Sequence, residues 1–80
     1  MAMHTIELTL PGVFYQRPAP DQPPFKSPGD PVVAGETIGL VEVMKSFLSI
    51  EANCDGIFGR YLLADQSDVD AGDAACEIEV

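Results

Sequence analysis

Val32-Val33-Ala34-Gly35-Glu36-Thr37-Ile38-Gly39-Leu40-Val41-Glu42-Val43 and Val69-Asp70-Ala71-Gly72-Asp73-Ala74-Ala75-Cys76-Glu77-Ile78-Glu79-Val80 are two versions of one pattern. Valine, alanine, glycine, glutamate and valine fall in register, acid stands opposite acid, and Val41 stands opposite Ile78. A looser echo precedes each copy, where Gly12-Val13-Phe14 is answered by Gly56-Ile57-Phe58 and each triplet is followed by an arginine, Arg17 and Arg60. The chain is an internal repeat, and Met44-Lys45 lies between its halves.

Working outward from the repeat, Thr5 to Leu10 alternates polar and apolar residues, which predicts a half-buried strand ended by Pro11-Gly12. Val13-Phe14-Tyr15, Val32-Val33, Thr37–Val43, Ser46–Ala52, Ile57–Leu63 and Ala75–Val80 read as further short strands, with turn chemistry between them. Ala64 to Asp73 reads as acidic and turn-rich, and no stretch has the period of an amphipathic helix. Short strands at regular spacing predict an all-β sandwich or barrel, and the repeat predicts two sheets related by a pseudo-twofold axis. Gly35 and Gly72 are then matching turn positions that call for a positive φ or a close backbone approach. From Gly12 to Gly35 is seven residues longer than from Gly56 to Gly72. The extra length is the proline-rich stretch Arg17-Pro18-Ala19-Pro20-Asp21-Gln22-Pro23-Pro24, a stiff loop that cannot supply a ladder of backbone donors.

Eighty residues make one domain, 1–80, which on folding hides only about 60–65% of the surface its unfolded chain exposes. A catalytic cleft with walls of its own does not fit in a core that thin. The net charge of −9, thirteen acids against four bases, argues against nucleic acid or an anionic membrane as a partner. No segment approaches the roughly 20 apolar residues of a membrane span, and Met1-Ala2-Met3-His4 lacks a signal-peptide pattern, so a cytoplasmic protein is expected. Cys54 and Cys76 have neither Cys-x-x-Cys spacing nor nearby histidines, so both read as reduced core thiols. His4, the only histidine, lies near a terminus expected to fray, and no metal site is expected.

Lys45 sits between two β runs long enough to pair, which places Met44-Lys45 at the tip of a hairpin. The segment Gly39-Leu40-Val41-Glu42-Val43-Met44-Lys45-Ser46 resembles the attachment site of the biotin carboxyl carrier family, whose usual form is Glu-Ala-Met-Lys followed by a hydrophobic residue. Here Val43 replaces the alanine and Ser46 the hydrophobic residue. Val13 to Asp21 is also similar to the "thumb" of carriers from bacterial-type acetyl-CoA carboxylase. The resemblance runs from about Gly12 to Val80.

The resemblance implies a flattened β-barrel or sandwich of two four-stranded antiparallel sheets, with biotin attached to Lys45 and Met44 read by a biotin protein ligase. It implies a thumb-like loop at about 17–24, with Pro18, Pro20, Asp21 and Gln22 near the biotin ring. Further partners implied are a biotin carboxylase and a carboxyltransferase, the chain serving as a carrier with no catalytic residue of its own. Lipoyl domains share the fold but usually carry Asp-Lys at the tip, so Met44 favours biotin. The competing possibilities are a carrier for a carboxylase of another acid, or an unmodified or lipoylated interaction module of the same fold. A freestanding enzyme would need a nucleophile with its base, or a metal cluster, and the sequence offers neither.

Overall fold

Alternation of inward apolar and outward polar side chains builds eight strands in the computed structural model, which describes residues Ala2–Val80; Met1 lies outside the described residues. They are β1 (Met3–Glu7), β2 (Gly12–Tyr15), β3 (Pro31–Val32), β4 (Thr37–Val43), β5 (Ser46–Glu51), β6 (Gly56–Tyr61), β7 (Ser67–Val69) and β8 (Ala74–Glu79). They form two four-stranded sheets, ordered β1-β8-β6-β3 and β5-β4-β2-β7, with every pair antiparallel. The two sheets pack as a sandwich and do not close into a barrel. Among the described residues there is no helix, and so none long and apolar enough to cross a membrane.

The sheet orders carry the repeat. Exchanging β1 with β5, β2 with β6, β3 with β7 and β4 with β8 turns one order into the other, so each half of the chain gives two strands to each sheet. The symmetry extends to single hydrogen bonds. Gly35 N–H donates to Ala52 C=O at 2.8 Å and Gly72 N–H to Leu8 C=O at 2.7 Å. The acids that stand opposite each other in the sequence do the same work: Glu36 accepts from Val33 N–H at 3.1 Å, and Asp73 from Asp70 N–H at 2.8 Å. Gly35 and Gly72 adopt φ of 91° and 94°, as their turn positions required. Gly12 and Gly56 are needed for a different reason. A Cβ on Gly12 would collide with Glu42 O and come within 2.7 Å of Val41, and one on Gly56 would collide with Glu79 O and come within 2.7 Å of Ile78.

Two clusters form the core. Ile6, Val32, Ile38, Ala52, Phe58, Cys76 and Ile78 make one; Leu8, Phe14, Val41, Val69 and Ala75 make the other. Phe14 answers Phe58, Val41 answers Ile78 and Val69 answers Val32, while Ile50 and Tyr61 pack against both clusters. Tyr61 is the link: its ring lies 4.7 Å from Phe58 and 6.1 Å from Phe14, and its hydroxyl donates to Ile38 O at 2.7 Å. Burial pushes its pKa up to about 12.

Four local expectations change. The first strand stops at Glu7, where a register shift between Ile6 and Glu7 ends the regular pairing; Leu8 leaves the strand but stays buried because Asp73 and Gly72 hold its backbone. The turn-rich stretch Ala64 to Asp73 contains β7, a strand too short to show a period. His4 is not frayed: it pairs with Ile78, and its Nε2 lies 2.7 Å from Asn53 Oδ1. Cys76 is a fully buried free thiol, its pKa raised to about 12 by burial, whereas Cys54 is free but only half-buried.

Candidate functional site

β4 and β5 pair from Val43↔Ser46 upward, leaving Met44 and Lys45 as a two-residue connection. Two-residue loops match the right-handed twist of their strands as type I′ or II′ turns, and type I′, the geometry usually given to Asn-Gly, needs positive φ at both residues. Here Met44 and Lys45 take it, with φ of 50° and 68°. Left-handed backbone at non-glycine residues costs free energy and concentrates at functional sites.

The tip projects both side chains. Met44 is 92% exposed and Lys45 is exposed, while Val43, the residue where the resemblance expected alanine, turns inward and packs on the second core cluster. Ser46 is exposed. The other three cations are engaged, Arg17 with Asp65, Lys26 with Glu36 and Arg60 with Glu77. Lys45 alone among the described lysines and arginines forms no ion pair. Glu42, the nearest acid before it in sequence, is occupied elsewhere: Tyr15 Oη donates to its Oε1 at 2.9 Å. That hydrogen bond, reinforced by desolvation, raises the Tyr15 pKa. The Tyr15 ring in turn lies 5.7 Å from Phe47, an aromatic that remains 57% exposed two residues after Lys45.

The proline-rich insertion is an ordered loop. Phe25 N–H donates to Gln16 O at 2.8 Å across its base, Gln22 N–H donates to Ala19 O at 3.1 Å, and Arg17 Nη1 donates to Gln22 O at 3.2 Å. Asp65 anchors it from the second half of the chain, accepting from Gln16 N–H at 2.7 Å and facing Arg17 Nε at 3.5 Å. Between this loop and the outer face of the second sheet is a pocket of about 210 Å³. Its apolar wall is Tyr15, Pro18, Ala19, Pro20, Leu40 and Phe47, and its polar rim is Arg17, Asp65 and Gln66. Arg17 Nε is buried there without a hydrogen bond, and Gln66 holds a φ of 61°.

The structure therefore places Met44 and Lys45 at one exposed tip, and Pro18 and Pro20 in the pocket wall. Asp21 and Gln22 are exposed on the outer part of the loop and do not line the pocket. Sequence reasoning missed Tyr15, Leu40, Phe47, Asp65 and Gln66. Tyr15, Leu40 and Phe47 share one outer face through the pairs Tyr15↔Leu40 and Glu42↔Phe47, which a register assignment would have revealed. Asp65 and Gln66 come from a separate loop, and no local pattern marks them. Among the described residues no cluster of His, Cys, Asp and Glu is arranged to hold a metal ion.

The family described as biotin-requiring enzyme matches residues 4–78. The biotin carboxyl carrier protein of acetyl-CoA carboxylase from Streptococcus pyogenes serotype M6 is 34% identical over 74 residues, covering 92% of this chain and 45% of that protein. The protein of the same name from Porphyra purpurea is 36% identical over 75 residues, covering 94% and 48%. The chain thus spans about half the length of these curated relatives. The crystal structure of the Kluyveromyces lactis urea carboxylase superposes on 99% of this chain and 6% of that one with a TM-score of 0.79; at 24% identity it speaks for the fold alone.

Proposed function

From the premise that this chain belongs to the family of biotin-requiring enzymes, we propose that it is the biotinyl carrier of a multisubunit carboxylase, with biotin attached to Lys45. The observation that carries the proposal is the tip itself: an unpaired lysine held on a left-handed two-residue turn, beside an almost fully exposed methionine. The residues present fit the group. Lys45 is exposed, and Phe47, two residues after it on β5, lines an apolar pocket with room for a small ring.

Attachment is an acyl transfer. The neutral Nζ of Lys45 attacks the acyl carbon of biotinyl-adenylate, AMP leaves, and the new amide removes one positive charge from the chain. The biotin protein ligase supplies the base and reads Met44, while the carrier supplies position: a turn already ordered in the free chain loses little entropy on docking. Once bound, biotin supplies a ureido nitrogen that takes up and gives back a carboxyl group. The chain's own part is delivery. Tethering raises the effective concentration of the carried group at a biotin carboxylase and then at a carboxyltransferase, so a weak interface with each is enough. Pro18 and Pro20 form an apolar wall that would hold the ring, whereas Asp21 and Gln22, exposed on the outer part of the loop, would reach it only if the loop bent inward.

The names of its relatives and the thumb-like loop favour acetyl-CoA as the acceptor, and with it malonyl-CoA supply for fatty acid synthesis in the cytoplasm. The net charge of −9 supports protein partners over nucleic acid or membrane. The test is intact mass after incubation with a biotin protein ligase, ATP and biotin. One biotinyl group on the wild type and none on Lys45→Arg is the expected result; an unmodified wild type refutes the carrier. Malonyl-CoA formed when the loaded carrier is combined with biotin carboxylase and carboxyltransferase identifies the acceptor.

A further inference from the structure

A lysine is a nucleophile only while its amine is uncharged, and a neighbouring carboxylate favours the charged form. This chain carries thirteen acids against four bases, so a lysine left without an ion pair needs a cause. Glu42 is the acid placed to pair with Lys45. It stands three residues before it on the outer face of β4, one residue short of the pair that closes the hairpin. The flexible four-carbon stem of a lysine bridges gaps of this kind, as Lys26 does in reaching Glu36.

What holds Glu42 away from the tip is Tyr15. From the neighbouring strand β2 its Oη donates to Glu42 Oε1 at 2.9 Å. A hydrogen bond to a charged acceptor outweighs an ion pair between exposed side chains, so the carboxylate stays with the tyrosine. The donor is itself fixed. Tyr15 pairs with Leu40, and its ring lies 5.7 Å from that of Phe47. The residue after it is tied to the second half of the chain, Gln16 N–H donating to Asp65 Oδ1 at 2.7 Å and Gln16 Nε2 to Leu63 O at 2.8 Å. Asp65, the other acid acting on Tyr15, is engaged with Gln16 and with Arg17 Nε at 3.5 Å. The bond to Glu42 raises the Tyr15 pKa, which keeps the hydroxyl protonated, and so a donor, at neutral pH.

We propose that Tyr15 is a positioning residue for the acylation of Lys45: its hydroxyl retains the Glu42 carboxylate on the sheet face and thereby leaves the lysine without a counter-ion. This rests on the reading of Lys45 as the acylated residue. In that step the uncharged Nζ forms the amide bond, AMP leaves the acyl carbon and an amine proton passes to base. Tyr15 takes no part in the bond making and acts through Glu42. The repeat supplies an internal contrast. Glu79 is the counterpart of Glu42, whereas the counterpart of Tyr15 is Gly59, so the second half keeps the acid and lacks the hydroxyl. The tyrosine occurs only in the half whose strand leads into the lysine tip.

Tyr15→Phe removes the hydroxyl and keeps the ring beside Phe47. The measured quantity is the rate at which Lys45 reacts with an N-hydroxysuccinimide ester of biotin at pH 8, read by peptide mass mapping with no ligase present. Lys26, held by Glu36, is the internal reference. The expected result is a rate about two- to fivefold lower in Tyr15→Phe, restored to within about 1.5-fold of wild type in Tyr15→Phe/Glu42→Gln. About 1 M salt, which screens exposed charges, is expected to remove the difference as well. Glu42→Gln alone should react at least as fast as the wild type. An unchanged rate in Tyr15→Phe overturns the proposal. So does a fall that neither Glu42→Gln nor salt reverses, since a merely loosened turn would give that result. The ester needs no ligase, so a wild type that a biotin protein ligase does not modify refutes the carrier reading separately.

Discussion

Replacing Lys45 by glycine is expected to make the protein more stable. Lys45 holds φ at 68°, a conformation that costs an L-residue about 1–2 kcal/mol and glycine almost nothing. Against that gain stands the extra freedom glycine gives the unfolded chain, about 0.5–1 kcal/mol. No ion pair of Lys45 is lost in the exchange. Taken at their midpoints the two effects leave a net gain of about 0.75 kcal/mol, and a domain of this size converts 1 kcal/mol into about 4–8 °C of melting temperature. A rise of about 2–8 °C is expected by calorimetry at pH 7, and Met44→Asn combined with Lys45→Gly, the sequence such a turn prefers, is expected to rise further. Gly35→Ala and Gly72→Ala measure the same backbone energy with opposite sign. Both glycines have φ near 90° and open space where a Cβ would go, so the loss on substitution is conformational. Both are expected to melt lower. A Lys45→Gly protein that melts at or below the wild type, while Gly35→Ala and Gly72→Ala fall as expected, refutes the claim that the turn is held against its own backbone preference.

Gly56→Ala is expected to cost about 1–3 kcal/mol or more in urea unfolding, because its Cβ meets Glu79 O and Ile78, and Gly12→Ala should match it through the pseudo-twofold axis. Iodoacetamide at pH 8 is expected to alkylate the half-buried Cys54 of the native protein and spare Cys76, whose burial holds its pKa at about 12; peptide mass mapping reads the difference. The Lys26 ammonium, followed by Val33 N–H, holds the Glu36 carboxyl below its ordinary 4.5. A depressed carboxyl stabilises the fold fully above its unfolded pKa and loses that contribution as pH falls through the folded value. Glu36→Gln should therefore melt below wild type at pH 6–7, with the gap closing as pH falls below about 4.5.

The halves of the repeat were legible because register is a sequence property: Val32 and Val69, Val41 and Ile78, Phe14 and Phe58 occupy equivalent core positions as alignment alone required. The tip was legible for the same reason, since two strand-length runs separated by Met44-Lys45 leave only a hairpin between them. Where the signal was too short, it failed. β7 spans three residues and shows no period, and Leu8 remains buried outside a strand because bonds to Gly72 and Asp73, far along the chain, hold it.

The pocket belongs to the tertiary structure. Its wall joins the proline-rich insertion of the first half to Asp65 and Gln66 of the second, which meet only because β2 pairs with β7 and Gln66 N–H donates to Phe14 O at 2.7 Å. The open edge of β5 is likewise invisible in the sequence, where Ser46 to Ile50 reads as one more strand; that no neighbour covers it depends on the order of strands in the sheet. The sequence by itself determined the repeated strands, the two-sheet symmetry and the address of Lys45, because alternation, glycine spacing and hairpin length act within a few residues. Only the tertiary structure decided which distant loops face each other and which strand edge stays open, because those depend on the pairing of segments that no local pattern couples.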